Sequence, residues 1–287
     1  MKNGELLKWG EGKLSGLRVD GYDIEAEVLL RYVLRMDKIS NFQFPISKEV
    51  EKKYKNLIFK RCRGVPLAYL TNHKKFCGLD FYVNERVLIP RPETERLVEV
   101  VLEIIVPSCQ LSTVNCQLLD MGTGSGCIIT SIIKGIENFK CFKGKECFKN
   151  FKFVATDISA DALKVAKINA KRHGVLDKIK FIQSDLFEKL PVVSCQLLVA
   201  NLPYVEEFWQ DPSIQFEPKQ ALYAGQDGLD VYRRFFQQVW NYTKQGSVIL
   251  IEIDLRQVKP LKKIIGKRKI EVLQDRFQKP RVLKITV

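Results

Sequence analysis

Leu118-Leu119-Asp120-Met121-Gly122-Thr123-Gly124-Ser125-Gly126-Cys127-Ile128-Ile129 is the stretch that decides the fold. Residues 118–121 read as a buried strand carrying an acid near its end, Gly122, Gly124 and Gly126 as a tight loop, and the apolar run 127–133 as a helix. A strand, a glycine loop and a helix in that order bring a ligand close to bare backbone at a helix N-terminus. Working outward, strand-like segments fall at 117–121, 152–156, 179–183, 196–200, 247–253, 270–273 and 282–287, with helical stretches between most of them. This alternation predicts an α/β fold: a seven-stranded, mostly parallel sheet covered by helices on both faces.

Upstream of the loop the period changes. Ile24, Val28, Leu29, Tyr32 and Val33 form an apolar stripe at helical spacing, and Ser47 is placed to cap a second helix carrying Val50, Tyr54, Leu57 and Ile58. Gly64-Val65-Pro66 ends it. Residues 75–83 alternate in part around Gly78 and predict a short β-hairpin. Pro90 and Pro92 keep 87–92 extended, and a helix over 93–106 follows, closed by Pro107. The expected division is a helical N-terminal domain at 1–72, a hairpin linker at 73–92 and a Rossmann-like domain at 93–287. Residues 137–150 keep neither period and read as a surface insertion.

Composition narrows the class without choosing a function. The chain has 287 residues, 46% of them hydrophobic, which is enough for a sizeable core without covalent staples. No apolar run reaches the length of a membrane span, and the first residues carry no signal-peptide pattern. Eight cysteines without a C-x-x-C pair, and only two histidines, argue against a metal site and for reduced thiols in a cytoplasmic protein. The net charge of +14 suits an anionic partner; residues 256–284 hold eleven Lys/Arg against two acids.

The G-x-G-x-G spacing resembles the loop of S-adenosyl-L-methionine enzymes. A nicotinamide fingerprint would want Gly or Ala at 127, which is Cys. Gly122, Thr123, Gly124, Ser125 and Gly126 are therefore candidate cofactor contacts. Asp157 ends the second strand, where a carboxylate accepts both ribose hydroxyls; it also suits a helix N-terminus by dipole alone. Asp185 and Leu186 end the third strand, where an acid followed by apolar residues fits an adenine: carboxylate to the exocyclic amine, apolar face to the ring.

The fourth strand ends in Asn201-Leu202-Pro203-Tyr204, similar to the Asn-Pro-Pro-Tyr motif of enzymes that methylate planar nitrogens. Such a nitrogen delocalises its lone pair and is a poor nucleophile. Two acceptors, the Asn201 side-chain oxygen and the Leu202 carbonyl, would grip both N–H groups and aim the lone pair at the methyl carbon. Asn201 also borders the cofactor, and Tyr204 would pack on the flat target group. Leu202 stands where the motif has Pro, so the carbonyl survives but the ring that fixes φ does not. Pro203 still holds residue 202 extended.

Arg63-Gly64-Val65-Pro66, the string Pro90-Arg91-Pro92-Glu93-Thr94-Glu95, Glu217-Pro218-Lys219-Gln220 and Gly225-Gln226-Asp227-Gly228 together resemble the release factor glutamine methyltransferases, the PrmC/HemK family. The resemblance implies a class I methyltransferase fold, S-adenosyl-L-methionine as methyl donor, and the glutamine of the Gly-Gly-Gln motif of class 1 peptide chain release factors as target. It also implies an N-terminal domain that helps hold the release factor; a monomer that does not require nucleic acid is the expected state. Arg91 and Glu93 are placed to order the site entrance, and Asp254, where the family usually has Gly, to alter the wall beside the cofactor. Two other readings fit part of the pattern: methylation of an exocyclic amine in adenine or ribosomal RNA guanine, and a non-catalytic binding protein.

Overall fold

The computed structural model describes residues 2–17, 21–39, 43–108, 116–138, 151–191 and 194–287. The chain divides into two compact units, Met1–His73 with Gln210–Phe216, and Lys74–Trp209 with Glu217–Val287. Among the described residues no helix is long and apolar enough to cross a membrane.

The first unit is helical: α1 (Asn3–Leu14), α2 (Tyr22–Leu34), α3 (Lys48–Cys62) and the short α4 (Leu67–Thr71). Leu6, Leu14, Leu29, Leu30, Tyr54 and Ile58 are buried in one cluster, each burial contributing roughly 1.5–3 kcal/mol relative to exposure. The Ser47 hydroxyl caps α3 by accepting from the Val50 N–H at 3.3 Å. Glu25 on α2 accepts two bonds from Arg61 on α3, at 2.7 and 3.1 Å, a bidentate clip between the helices.

The second unit opens with a hairpin, β1 (Lys74–Phe76) and β2 (Leu79–Phe81), with Phe76 opposite Leu79. Cys77 and Gly78 in its turn both have positive φ, 48° and 72°, as a two-residue turn matched to strand twist requires. The sheet follows: β3 (Cys116–Met121), β4 (Phe151–Asp157), β5 (Ile179–Gln183), β6 (Cys195–Ala200), β7 (Thr243–Glu252), β8 (Lys269–Gln274) and β9 (Pro280–Thr286). Their spatial order is β5-β4-β3-β6-β7-β9-β8. All neighbours are parallel except at β9, which runs antiparallel to both β7 and β8. The helices are α5 (Glu95–Ser108), α6 (Cys127–Asn138), α7 (Ala160–Arg172), α8 (Lys219–Leu222), α9 (Asp230–Gln238) and α10 (Val258–Ile265).

The sheet matches the seven strands expected, and the differences are local. β7 begins at Thr243 rather than 247, because Cys195 pairs with Thr243 before a register shift brings Leu197 against Val248. α5 starts at Glu95, after a 3-10 turn over Pro92–Thr94, and runs past Pro107 to Ser108. A proline in a last turn forfeits little of the hydrogen-bond ladder. Of the expected insertion, Glu137 and Asn138 end α6, while 139–150 lie outside the described residues.

Side-chain alternation along the strands builds two cores. Leu118, Phe153, Ala155, Leu197, Val199 and Leu250 face one way, among residues of α5 and α6. Leu119, Met121, Val154, Leu198, Ala200 and Ile249 face the other, among residues of α9 and α10. From its carboxyl end β3 leads to β4 on one side, whereas its other neighbour β6 leads to β7 on the other, so the chain leaves these two adjacent strands in opposite directions. That opens a crevice where an α/β sheet binds ligands.

Candidate active site

Strand register sets the site. Met121 is opposite Thr156 on one side and Ala200 on the other, and Asp157 is opposite Gln183. The next residues, Gly122, Asp157, Ser184 and Asn201, therefore line up across the carboxyl edge of four adjacent strands. A cavity of about 290 Å³ lies there. Its wall includes Gly122, Thr123, Gly124, Ser125, Asp157, Asp185, Leu186, Asn201, Leu202 and Pro203.

The glycine loop is held from several directions. Thr123 N–H donates to the Thr156 carbonyl at 2.8 Å, and its hydroxyl to Asp120 Oδ2 at 2.6 Å. Asn169, buried on α7, donates to the Ser125 carbonyl at 2.8 Å and to the Tyr82 carbonyl at 2.9 Å. Gly126 has φ +76°, and a Cβ there would sit 3.0 Å from the Ala166 Cβ, so it sets the packing of loop on helix rather than lining the cavity. Gly124, which lines the cavity, has φ +53°, and an added Cβ would meet nothing within 4 Å. The loop is thus a bare backbone cradle, and it fits a ligand that presses against it.

Asp157 works in both directions. Its Oδ2 accepts from the Gly124 N–H and its Oδ1 from the Ser159 N–H, both at 2.9 Å, while Ser159 caps α7 by accepting from the Ala162 N–H. Burial pushes its pKa up; the N–H groups of Ser159, Gly124 and Ile158 pull against that. Asp120, fully buried beneath the loop, is pushed up to about 7 by burial against the opposing bond from Thr123. At the third strand, Asp185 Oδ2 accepts from Arg234 Nη2 of α9 at 2.7 Å, and both residues line the cavity. Leu186 is buried with φ +47°, a conformation a branched side chain rarely adopts, and such strain concentrates at ligand sites.

Asn201 Nδ2 donates to Thr94 Oγ1 at 3.2 Å. With the nitrogen engaged, Oδ1 is the acceptor left on a residue that lines the cavity. Leu202 is buried and lines the cavity beside Gly122. Tyr204 departs from its expected place. It is not among the cavity-lining residues; its hydroxyl faces Glu252 Oε1 at 3.4 Å, and its ring joins the core beneath. With the ring buried, its hydroxyl needs a partner inside the protein, and Glu252 supplies one. Asp254 also lies off the cavity wall: it caps a 3-10 turn, accepting from the Arg256 N–H at 2.9 Å, while Gln257 reaches back to its N–H at 3.1 Å.

Several contributors were given no role in the sequence, although Glu217 and Gly228 belong to the strings that carry the family resemblance. Glu217, fully buried, accepts from the Ile89 N–H at 2.9 Å and pairs with Arg91, fixing the extended segment before α5 against the loop that leads to α8. Gln257 donates to the carbonyls of Tyr204 at 3.3 Å and Gly228 at 3.1 Å, which seats the strand-end turn from behind. Gly228, with φ +70°, is required there because a Cβ would fall 2.3 Å from the Tyr204 oxygen.

Comparison with known proteins agrees with this geometry. The PrmC N-terminal domain family matches residues 5–71 and the methyltransferase domain family residues 112–271. The parallel sheet, its switch point at β3 and the glycine loop beside it define an S-adenosyl-L-methionine-dependent methyltransferase of the Rossmann-like class I type. The release factor glutamine methyltransferase of Koribacter versatilis is 36% identical over 250 residues, covering 84% of this chain and 82% of that one. Its counterpart in Bacillus cereus is 35% identical over 271 residues, covering 91% and 89%. The chain belongs to the release factor glutamine methyltransferase family. Among solved structures, the hMettl16 catalytic domain in complex with MAT2A 3'UTR hairpin 1 shares the fold alone, at 15% identity and TM-score 0.50, over 86% of this chain and 83% of that one.

Proposed function

We propose that this enzyme methylates the side-chain amide nitrogen of the glutamine in the Gly-Gly-Gln motif of class 1 peptide chain release factors. It acts as a monomer and without nucleic acid, and the region 1–72 helps hold the release factor. S-adenosyl-L-methionine supplies the methyl group as an electrophilic carbon on sulfur. Gly122, Thr123, Gly124 and Ser125 would hold its methionine part, with Gly126 packing the loop on α7, Asp157 its ribose, and Asp185 and Leu186 its adenine, with Asn201 at the border between donor and target.

The chain's own residues then do the rest. A carboxamide nitrogen shares its lone pair with its carbonyl and attacks poorly. Asn201 Oδ1 and the Leu202 carbonyl accept its two N–H groups, favouring a pyramidal nitrogen whose lone pair faces the methyl carbon. Pro203 keeps the Leu202 backbone extended. Tyr204 supports the turn through its bond to Glu252 rather than by touching the target.

The observation that carries this reading is Asn201 on the cavity wall at the end of β6 with its nitrogen engaged by Thr94, which leaves its oxygen as the acceptor. The test is incubation with labelled S-adenosyl-L-methionine and, separately, a class 1 release factor, ribosomal protein and ribosomal RNA, followed by mass mapping. Label on the Gly-Gly-Gln glutamine is expected. Label confined to RNA or ribosomal protein contradicts the assignment.

A further inference from the structure

Arg233 and Arg234 are neighbours on α9 with different partners. Arg233 pairs with Asp227 and Asp230 at the surface. Arg234 donates from Nη2 to Asp185 Oδ2 at 2.7 Å, and both of these residues line the cavity. The function above gives Asp185 the adenine and leaves Arg234 without a task.

Packing sets the distance between the two. On α9, Tyr232, Phe235 and Phe236 are buried, and the Tyr232 hydroxyl donates to the Glu252 carbonyl at 2.5 Å. Val231 and Arg234, three residues apart and so on one face of the helix, border the cavity instead. The ring of Phe235 lies 5.6 Å from that of Phe187, two residues after Asp185. The turn that carries Asp185 is closed on itself: the Glu188 N–H donates to the Asp185 carbonyl at 3.1 Å, and the Lys189 N–H to the Ser184 hydroxyl at 3.0 Å. Helix and turn are fixed to each other, and the ion pair spans them.

A carboxylate has two oxygens. Oδ2 of Asp185 is taken by Arg234, and among the described residues Oδ1 has no hydrogen-bond partner. The side chains are 28% and 46% exposed, and a pair so open to water adds little to stability. Its charge-assisted bond nevertheless fixes a direction. We propose that Arg234 is a positioning residue for the cofactor: it holds Asp185 by Oδ2 and so presents Oδ1 to the 6-amino group of the adenine. A carboxylate without this anchor would turn to water, and ordering it again on binding would offset the gain from one bond to a neutral amine. This rests on the adenine role given to Asp185 above.

The experiment measures, by calorimetry, the affinities of S-adenosylhomocysteine and of its 6-deamino analogue, which carries hydrogen in place of the amino group, for wild type, Arg234→Met and Asp185→Ala. The ratio of the two affinities reads the amine alone; a merely structural defect weakens both ligands in parallel and leaves the ratio unchanged. Wild type is expected to prefer S-adenosylhomocysteine at least about tenfold, the scale of a hydrogen bond to a charged group. Arg234→Met is expected to bring the ratio below about threefold. Should Arg234→Met fail to fold, Arg234→Ala carries the same expectation. A wild-type ratio in the folded Arg234 variant overturns the proposal. A ratio lost in Asp185→Ala beside a wild-type ratio in Arg234→Met confines the failure to this inference, whereas a wild-type ratio in Asp185→Ala, or a wild type that binds both ligands equally, removes the adenine reading itself.

Discussion

Replacing Asp157 by Asn separates the clip that its carboxylate makes from the ribose contact proposed for it. Both oxygens are occupied, one by the Gly124 N–H and one by the Ser159 N–H, each at 2.9 Å. An asparagine has a single oxygen, so one of the two N–H groups must face an NH2 group. Leaving a largely buried donor unpaired costs about 1–3 kcal/mol, which the protein without cofactor should lose in stability. The ribose hydroxyls, in the proposed site, lose a charged acceptor as well. Hydrogen bonds to charged groups contribute about 1.5–3 kcal/mol, and about 1.4 kcal/mol is tenfold in affinity. Asp157→Asn should thus weaken S-adenosylhomocysteine roughly ten- to hundredfold. Calorimetric titration gives the affinity, and urea unfolding of the cofactor-free protein gives the stability. If stability falls while affinity is unchanged, Asp157 is only a clip for the loop and its place in the cofactor site is refuted.

Two further outcomes follow from buried charge. Arg91→Met leaves Glu217, whose side chain is fully buried, without its cation; unfolding free energy should drop by about 3 kcal/mol, and a drop below about 1 kcal/mol would show that the pair is not needed. Glu252 has its pKa raised to about 7 by burial, so its protonated form is favoured by folding, and the stability it contributes is present at low pH and lost as pH rises through about 7. Glu252→Gln cannot ionise; its stability relative to wild type should climb between pH 4.5 and about 7 and then level off, and a difference that stays flat across that window in pH-dependent urea melts would contradict the buried ionisation.

How much of this was legible in the sequence depends on the range of the signal. The strand, glycine loop and helix around Gly122 are local chemistry: three residues with positive φ in a row of five. The two-residue period of the strands then set the two faces of the sheet. The place of β9 between β7 and β8 was not readable, because hydrophobic alternation does not encode spatial order. In the site, backbone-determined positions were legible: Gly124, Asp157 and Asn201 follow from strand ends, and register brings them together. Side-chain partners distant in sequence were not. Nothing near Asp185 points to Arg234, 49 residues on, and nothing near Asn201 points to Thr94. Tyr204 was expected at the target because its motif places it there; the buried carboxylate of Glu252 draws its hydroxyl inward. Asp254 carried a readable signal, an acid three residues before Gln257, which is a capping pattern.

The most direct measurement is single-turnover methylation of a class 1 release factor by Asn201→Ala, with S-adenosylhomocysteine affinity measured on the same preparation. Transfer reduced by at least about a thousandfold, some 4 kcal/mol of transition-state stabilisation, with cofactor affinity nearly unchanged, is the predicted result. Transfer at the wild-type rate would contradict the claim that the Asn201 oxygen receives the target nitrogen.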